Sequence, residues 1–275
     1  MTKLNQKYIN KIVKEALNED LKPFGDITTK LIKNKKSKAK IIAKQNGIIA
    51  GLDFCRAAFK LLDKKTVFST KVKDGQKINK GKIIAIISAK TKTILSAERT
   101  ALNFLSHASG IATLTKEFVI KSNNQTKICC TRKTTPNLRL LEKYAVKKGG
   151  GLNHRYNLSE EIMIKDNHIE SSDNLYSLVK KAIKTKKIIT VEVDNIIQLK
   201  KILNLKFKRV LFDNMSLNIL RKCLKLCKNN YETEYSGNVN LKNIRKISDT
   251  KVNRISIGSL THSAKSFDYS LELFS

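Results

Sequence analysis

The segment IITVEVDNIIQLKKILNLKFKRVLFDNMS, residues 188–216, decides the fold. It begins with an apolar, partly β-branched run, IITVEV, and nears its end with a second, RVLFD. Between them NIIQLKKIL places apolar residues at three-and-four spacing, the period of an amphipathic helix. Two strands joined by a helical crossover run parallel. Each run closes on ionisable and polar residues, EVDN and DNMS, at the point where the chain leaves the sheet.

The same rhythm extends in both directions. The runs KICCT, EIMIK, YETEY and RISIG join the first two to make six, recurring roughly every 20 to 33 residues, the spacing of repeated βα units. NLYSLVKKAIKT, SLNILRKCLKLCK and NLKNIRKIS supply further amphipathic helices. A parallel sheet follows, and an α/β barrel is its simplest closure. The six exits carry TRKT, KDNH, EVDN, DNMS, YSGN and GSLTHS. Active sites of α/β barrels gather at the carboxyl ends of the strands, so these segments converge on one pocket.

Residues 1 to about 105 read differently, as mixed α and β. MTKLNQKYINKIVKEAL is an amphipathic helix without the apolar centre of a signal peptide, and no run reaches membrane-spanning length. AKIIAKQNGIIAGL reads as a strand pair around Gly47, DFCRAAFKLL as a helix, and VKDGQKINKGKIIAIIS as short strands bounded by Gly75 and Gly81. A long helix is predicted from Ser96, its N-cap, with Glu98 near the helix's positive end, and it carries the chain into the second domain. Disorder is confined to the termini and to the Lys-rich patch near 33–40.

The five Cys, at 55, 129, 130, 223 and 227, form no paired CxxC and lie near no His, which suggests buried thiols in a reducing, cytoplasmic setting. A formal net charge of +32 first points to a polyanionic partner. Its distribution argues against nucleic acid: of 55 basic residues only nine are Arg, the 46 Lys are spread over nearly every helix, and Trp is absent. The scarce Arg are the more informative cations. A guanidinium grips carboxylate or phosphate in a bidentate way that Lys does not copy. Arg99, Arg132, Arg139 and Arg155 fall inside one third of the chain.

EDLKPFGDITT, SAERTALNFLSHASGIAT, TRKTTPNLRLLEKYAVKKGGGLNHR, IKDNHI, VEVDN, LFDNMS and IGSLTHSA together resemble the quinolinate phosphoribosyltransferase family, over nearly the whole chain. The resemblance implies an N-terminal α/β sandwich-like domain, taken as residues 1–105 with the tail 263–275 packed back on it. It also implies an incomplete parallel α/β barrel over 106–262. The implied protein is a cytoplasmic homo-oligomer, dimer or hexamer, that joins quinolinate to phosphoribosyl pyrophosphate with Mg²⁺. Its products are nicotinate mononucleotide, pyrophosphate and CO₂, in NAD biosynthesis.

By resemblance, Arg132, His154, Arg155 and Lys165 hold the quinolinate carboxylates, with Arg99 contributed across the subunit interface. Lys133 faces the phosphoribosyl pyrophosphate. Glu192 and Asp213 sit near the ribose and Mg²⁺, directly or through substrate, with Asp194 and Asp166 nearby in sequence. Lys165, Glu192 and Asp213 are the implied catalytic groups; Asn167 and His168 stand behind them. Phosphate binding falls to Ser236, Gly237, Asn238, Gly258 and His262. Gly149, Gly150 and Gly151 either bring backbone close to the ligand or simply end a helix. The sequence departs from the family at Tyr235, where a small residue is usual, and at Asn238, where a second Gly is usual.

Two other readings stand beside this one. The molybdenum-locus relative of the family shares the RKT and GGG..HR signatures, while a basic RNA-binding protein on the same scaffold would account for the charge. LEKYAVKKGGG and IKDNHI favour the quinolinate enzyme, and the presence of both acids and all four cations favours an intact site.

Overall fold

The computed structural model describes residues 4–172 and 174–274. They form two compact units. One comprises the chain up to Lys116, Thr134–Gly150 and the chain from Leu260 onward; the other comprises Glu117–Lys133 and Gly151–Ser259. A division at 105/106 therefore falls inside one uninterrupted helix, and the segment after the first parallel strand belongs with the N-terminal unit.

The elements run in chain order as α1 (Gln6–Leu21), β1 (Lys36–Ala43), β2 (Gly47–Ile48), α2 (Leu52–Leu62), β3 (Val67–Thr70), β4 (Lys77–Ile78), β5 (Ile83–Lys90) and α3 (Thr91–Lys121). β6 (Lys127–Cys129), α4 (Arg139–Lys148), β7 (Ile162–Ile164), α5 (Asp166–Glu170), α6 (Leu175–Ile183) and β8 (Ile189–Val193) follow. The chain then continues through α7 (Ile196–Ile202), β9 (Arg209–Asp213), α8 (Leu217–Cys227), β10 (Glu232–Ser236), α9 (Ile244–Ser248), β11 (Arg254–Ser256), α10 (Ser259–His262) and β12 (Tyr269–Phe274).

In the first unit an antiparallel sheet has the order β12-β1-β5-β3, so the C-terminal strand pairs with the first one. The stretch around Gly47 does not fold back on itself as the sequence suggests: β1 pairs with β5 and β12, and β2 pairs with β4. A Cβ on Gly47 would lie 2.5 Å from Phe267 and from Thr113, so this position is a close approach to the core rather than a hairpin turn. The Lys-rich patch is ordered where it enters β1. Lys36 and Lys38 stand on the exposed side, Lys40 lies 3.4 Å from Glu272, and the alternate residues Ala39, Ile41 and Ala43 are buried.

Helix α3 starts at Thr91, five residues before the expected N-cap. Ser96 is instead a helical residue whose hydroxyl donates to Asp26 Oδ2 at 2.9 Å. The glycine triplet ends α4. Gly149 lies where a Cβ would come within 2.4 Å of the Ala112 carbonyl of α3, and Gly150 adopts φ +92°, a left-handed conformation that disfavours other residues.

In the second unit all six sequence-predicted runs form strands of one parallel sheet, ordered β6-β11-β10-β9-β8-β7. The barrel is not closed: β6 and β7 are the two ends of the order, and among the described residues a parallel bridge joins Cys129 to Leu152 beside β6. One face of the strands is apolar and buried, including Val191, Val193, Val210, Phe212 and Ile255. Asn174, Asn195 and Ser216 cap α6, α7 and α8 through their side chains, so at the exits of β8 and β9 a polar residue is also a helix start. All five cysteines are buried free thiols, and no helix among the described residues is long and apolar enough to cross a membrane.

Candidate active site

The site is built on the second unit from the strand register outward. Side chains alternate along a strand, so Glu192 on β8, Asp213 on β9 and Ser236 on β10 share the face opposite the apolar one. Register sets Asp213 beside Ser236, and Glu192 beside Leu211 two residues before Asp213. The bridge between Cys129 and Leu152 aligns two more segments. Arg132 and Arg155 each follow one of those bridged residues by three positions, so both arginines are delivered to the same rim.

The rim sets like charges beside one another as well as opposite ones. Burial and the neighbouring Arg132 guanidinium together lower the Arg155 pKa, against the opposing effect of Glu161. The Arg155 guanidinium is steadied by donating from Nη1 to the Glu161 carbonyl at 2.9 Å. Lys165, directly after β7, places Nζ 2.7 Å from Glu192 Oε2. Burial raises the Glu192 pKa; Lys165 opposes that shift, and Asp213 and Asp166 add to it. Thus the strand ends carry two acids that repel one another and, on the segments after the Cys129–Leu152 bridge, two guanidiniums that repel one another. Such a rim favours a guest carrying several negative charges together with a centre that becomes positive.

The loop after β10 is tightly determined. Gly237 adopts φ +101°, and a Cβ there would fall 2.1 Å from Asn214 Oδ1. Asn214 donates from Nδ2 to Asp213 Oδ2 at 2.7 Å and accepts from Asn238 Nδ2 at 3.1 Å. Asn238 has φ +49°, so an asparagine supplies the left-handed turn where the family usually has Gly. Tyr235 points to the opposite face, where its hydroxyl donates to the Met215 carbonyl at 3.0 Å, and this second departure is absorbed away from the rim.

Other anticipated residues occupy diverse places. His168 Nδ1 accepts the Lys165 backbone N–H at 3.1 Å, which fixes the turn carrying Lys165. Asp194 is exposed and exchanges hydrogen bonds with Gln198 at the start of α7. Lys133 is exposed, and Gly258 follows β11. Arg99, exposed on α3, and His262, bonded to Ser263 at 2.6 Å, belong to the other compact unit. Arg139 turns back on its own loop, donating to Thr134 Oγ1 at 3.0 Å.

Sequence reasoning missed the floor beneath the rim. Arg209 reaches Glu232 at 2.8 Å, Glu161 at 3.3 Å and Glu234 at 3.5 Å, and Arg254 reaches Glu234 at 3.5 Å. Glu234 is fully buried and also accepts from the Ser256 hydroxyl. His154, only 6% exposed, presents Nε2 to Glu234 Oε1 at 3.2 Å while its Nδ1 accepts the Arg155 N–H at 3.0 Å. The available signal was the alternation of two acids in ETEYS and the arginine at the head of RVLFD and RISIG.

Comparison with known proteins decides the kinship. The quinolinate phosphoribosyl transferase N-terminal domain matches residues 26–109 and the C-terminal domain of the same enzyme matches 111–272. The chain belongs to the quinolinate phosphoribosyltransferase family. A probable carboxylating nicotinate-nucleotide pyrophosphorylase of Bacillus subtilis is 40% identical over 275 residues, covering 98% of this chain and 95% of that one. A decarboxylating quinolinate phosphoribosyltransferase of Nicotiana tabacum, 2b, mitochondrial, is 35% identical and covers 96% and 82%. The solved nicotinate-nucleotide pyrophosphorylase of Francisella tularensis superposes with a TM-score of 0.95 at 35% identity, covering 99% and 98%. Within this quinolinate phosphoribosyltransferase fold, the rim charges lie at the strand ends where α/β barrels place their chemistry.

Proposed function

We propose that this chain transfers the phosphoribosyl group of phosphoribosyl pyrophosphate to quinolinate with loss of CO₂, yielding nicotinate mononucleotide and pyrophosphate for NAD biosynthesis. The observation that carries the reading is the convergence of Arg132 and Arg155, mutually repelling, on the rim that also holds Lys165, Glu192 and Asp213. Quinolinate brings two adjacent carboxylates, which two guanidiniums and an ammonium accommodate in place. His154 serves this end from below through Arg155, and Arg99 is assigned to the neighbouring subunit's site in a homo-oligomer.

The pyridine nitrogen attacks C1 of the ribose, and the C1–O bond to pyrophosphate breaks with its electron pair on the leaving oxygen. Glu192 and Asp213 stabilise the positive charge developing at C1. The ring nitrogen is then cationic, so the adjacent carboxylate leaves as CO₂ and its electron pair remains on the ring carbon until a proton arrives. Lys165 is placed to orient that carboxylate. Lys133, Ser236, Gly237, Asn238 and Gly258 take the phosphate groups, with backbone N–H groups at the turns as donors. Glu192 and Asp213 also suit Mg²⁺. Among the described residues no cluster of three or more ligating side chains gathers, so this hard cation would share two carboxylates with substrate oxygens and neutralise the diphosphate.

The test is turnover of purified protein with quinolinate, phosphoribosyl pyrophosphate and Mg²⁺, reading nicotinate mononucleotide and CO₂, with nicotinate as the alternative acceptor. Product from quinolinate alone, lost in Arg132→Ala, is expected. A folded protein that makes no product from either acid overturns the reading. Salt-sensitive RNA binding without turnover would move the assignment to the RNA-binding alternative.

A further inference from the structure

We infer that Glu234 is a positioning residue for quinolinate: through His154 it fixes the turn that presents Arg155. This deepens the proposed function and rests on it. Glu234 lies on β10 two residues before Ser236, fully buried, and makes no approach to the rim of its own. Its two oxygens have separate duties. Oε1 receives the Ser256 hydroxyl and faces His154 Nε2 at 3.2 Å, while Oε2 lies 3.5 Å from both Arg209 and Arg254.

The His154 ring is thereby engaged at both edges, by a hydrogen bond at Nδ1 and by a charge contact with Glu234 at Nε2 whose geometry falls short of a hydrogen bond. Nδ1 accepts the Arg155 N–H at 3.0 Å, so Nε2 is the N–H edge, and that edge points at Glu234 rather than at the rim. A ring so engaged cannot rotate without giving up the Arg155 N–H. The floor supports Arg155 by a second route: Arg209 binds the Glu161 carboxylate, and the Glu161 carbonyl accepts from Arg155 Nη1 at 2.9 Å. Burial pushes the Glu234 carboxyl up, but His154, Arg254 and Ser256 outweigh it and hold the group below the ordinary carboxylate range. It therefore stands as an anion under the imidazole.

The variant Glu234→Gln keeps the shape and removes the charge. Expected is a rise of about tenfold in the quinolinate KM, with the phosphoribosyl pyrophosphate KM changed by less than about twofold. In a His154→Ala background the same substitution should add less than about twofold, because the direct route through His154 is already cut and Arg209 keeps Glu161 and Glu232 as partners. Unchanged quinolinate KM in folded Glu234→Gln, or full additivity with His154→Ala, overturns the inference.

Should Glu234→Gln fail to fold, the wild-type protein and Ser256→Ala, which keeps the charge, carry the test. With ¹⁵N-labelled histidine, the long-range ¹H–¹⁵N spectrum of the wild type should show His154 protonated at Nε2 and bare at Nδ1, and Ser256→Ala should shift the Nε2 resonance. A proton on Nδ1, or no shift in Ser256→Ala, overturns the inference. This arm needs no substrate. Failure of wild-type turnover alone strikes the parent reading, whereas failure of the spectrum strikes the role of Glu234.

Discussion

At the floor of the parallel sheet and at its rim, arginine does opposite work. Arg209 and Arg254 are buried among Glu161, Glu232 and Glu234, and each guanidinium faces at least two carboxylates. Arg132 and Arg155, on the same unit, lie close enough to depress the Arg155 pKa. The floor arginines are matched to carboxylates of the chain itself, whereas at the rim Lys165 pairs with Glu192 at 2.7 Å and two guanidiniums are set beside one another. Burial of charge is thus structural where opposite charges are built in, and on the proposed function it serves substrate where like charges are brought together. A binding surface of this kind spends folding stability to be ready for its guest.

The largest test of that contrast replaces one arginine in each place. Arg209→Ala takes a guanidinium from three glutamates, of which Glu232 and Glu234 keep Arg254, and should cost about 3–5 kcal/mol in a urea melt, enough to threaten folding. Arg132→Ala removes a source of repulsion on Arg155, so it should cost clearly less stability than Arg209→Ala while kcat/KM for quinolinate falls about 10²–10³-fold. Equal losses of stability in both variants would erase the distinction between floor and rim.

The two buried glutamates sharpen it by pH. Glu192 has a raised pKa, so the folded state binds more protons than the unfolded state as pH climbs through the ordinary carboxylate range, and its contribution to stability falls over that rise. Glu234 has a lowered pKa, so its contribution is fully present above the ordinary carboxylate range and is lost as pH falls through the folded value. Urea melts of Glu192→Gln and Glu234→Gln across pH should therefore diverge. Relative to wild type, Glu192→Gln gains as pH rises, whereas Glu234→Gln loses and recovers toward acid. Parallel profiles would show that the floor does not hold Glu234 as an anion.

Much of this arrangement was legible in the sequence because it follows a repeat. RVLFD and IITVEV announce strands by branched apolar runs, and the polar groups behind them mark the rim; every such run forms its strand. The floor was hidden because partner choice across strands depends on register. Glu232 and Arg209 are 23 residues apart, and only the parallel pairing of β9 with β10 sets them side by side. The resemblance reads His154 as a site residue; that its Nε2 lies 3.2 Å from the buried Glu234 was not legible, since that glutamate is distant in sequence. The start of α3 was missed for a local reason: TKT at residues 91–93 carries no apolar period, although Thr91 is tied to Ser37 and to the Lys35 carbonyl. Pairing partners of β2 were equally invisible in two residues of strand.

A smaller effect is expected at the loop joining floor to rim. Gly237→Ala meets both a left-handed φ and the Asn214 side chain, so a loss of about 1–2 kcal/mol is expected with a raised KM for phosphoribosyl pyrophosphate. Adding Asn214→Ala should recover only part of the stability. The Asn214 backbone nitrogen would still lie 2.9 Å from the new Cβ, and φ +101° remains unfavourable. Full recovery would place the whole cost in the side-chain clash.

The smallest expected effect separates helix capping from chemistry at two neighbouring exits. Asn195 accepts the Gln198 N–H at 2.9 Å and Ser216 accepts the Ile219 N–H at 3.4 Å, so the first bond is the better formed. Asn195→Ala should cost about 1 kcal/mol and Ser216→Ala about half of that, read as shifts in urea midpoint. Neither side chain reaches a rim charge through its capping bond, so kcat/KM should stay within about twofold of wild type for both. A large kinetic loss in Ser216→Ala at unchanged stability would move this hydroxyl from the helix to the substrate, and the polar residues behind the strands would then divide between folding and binding differently from the way their hydrogen bonds divide them.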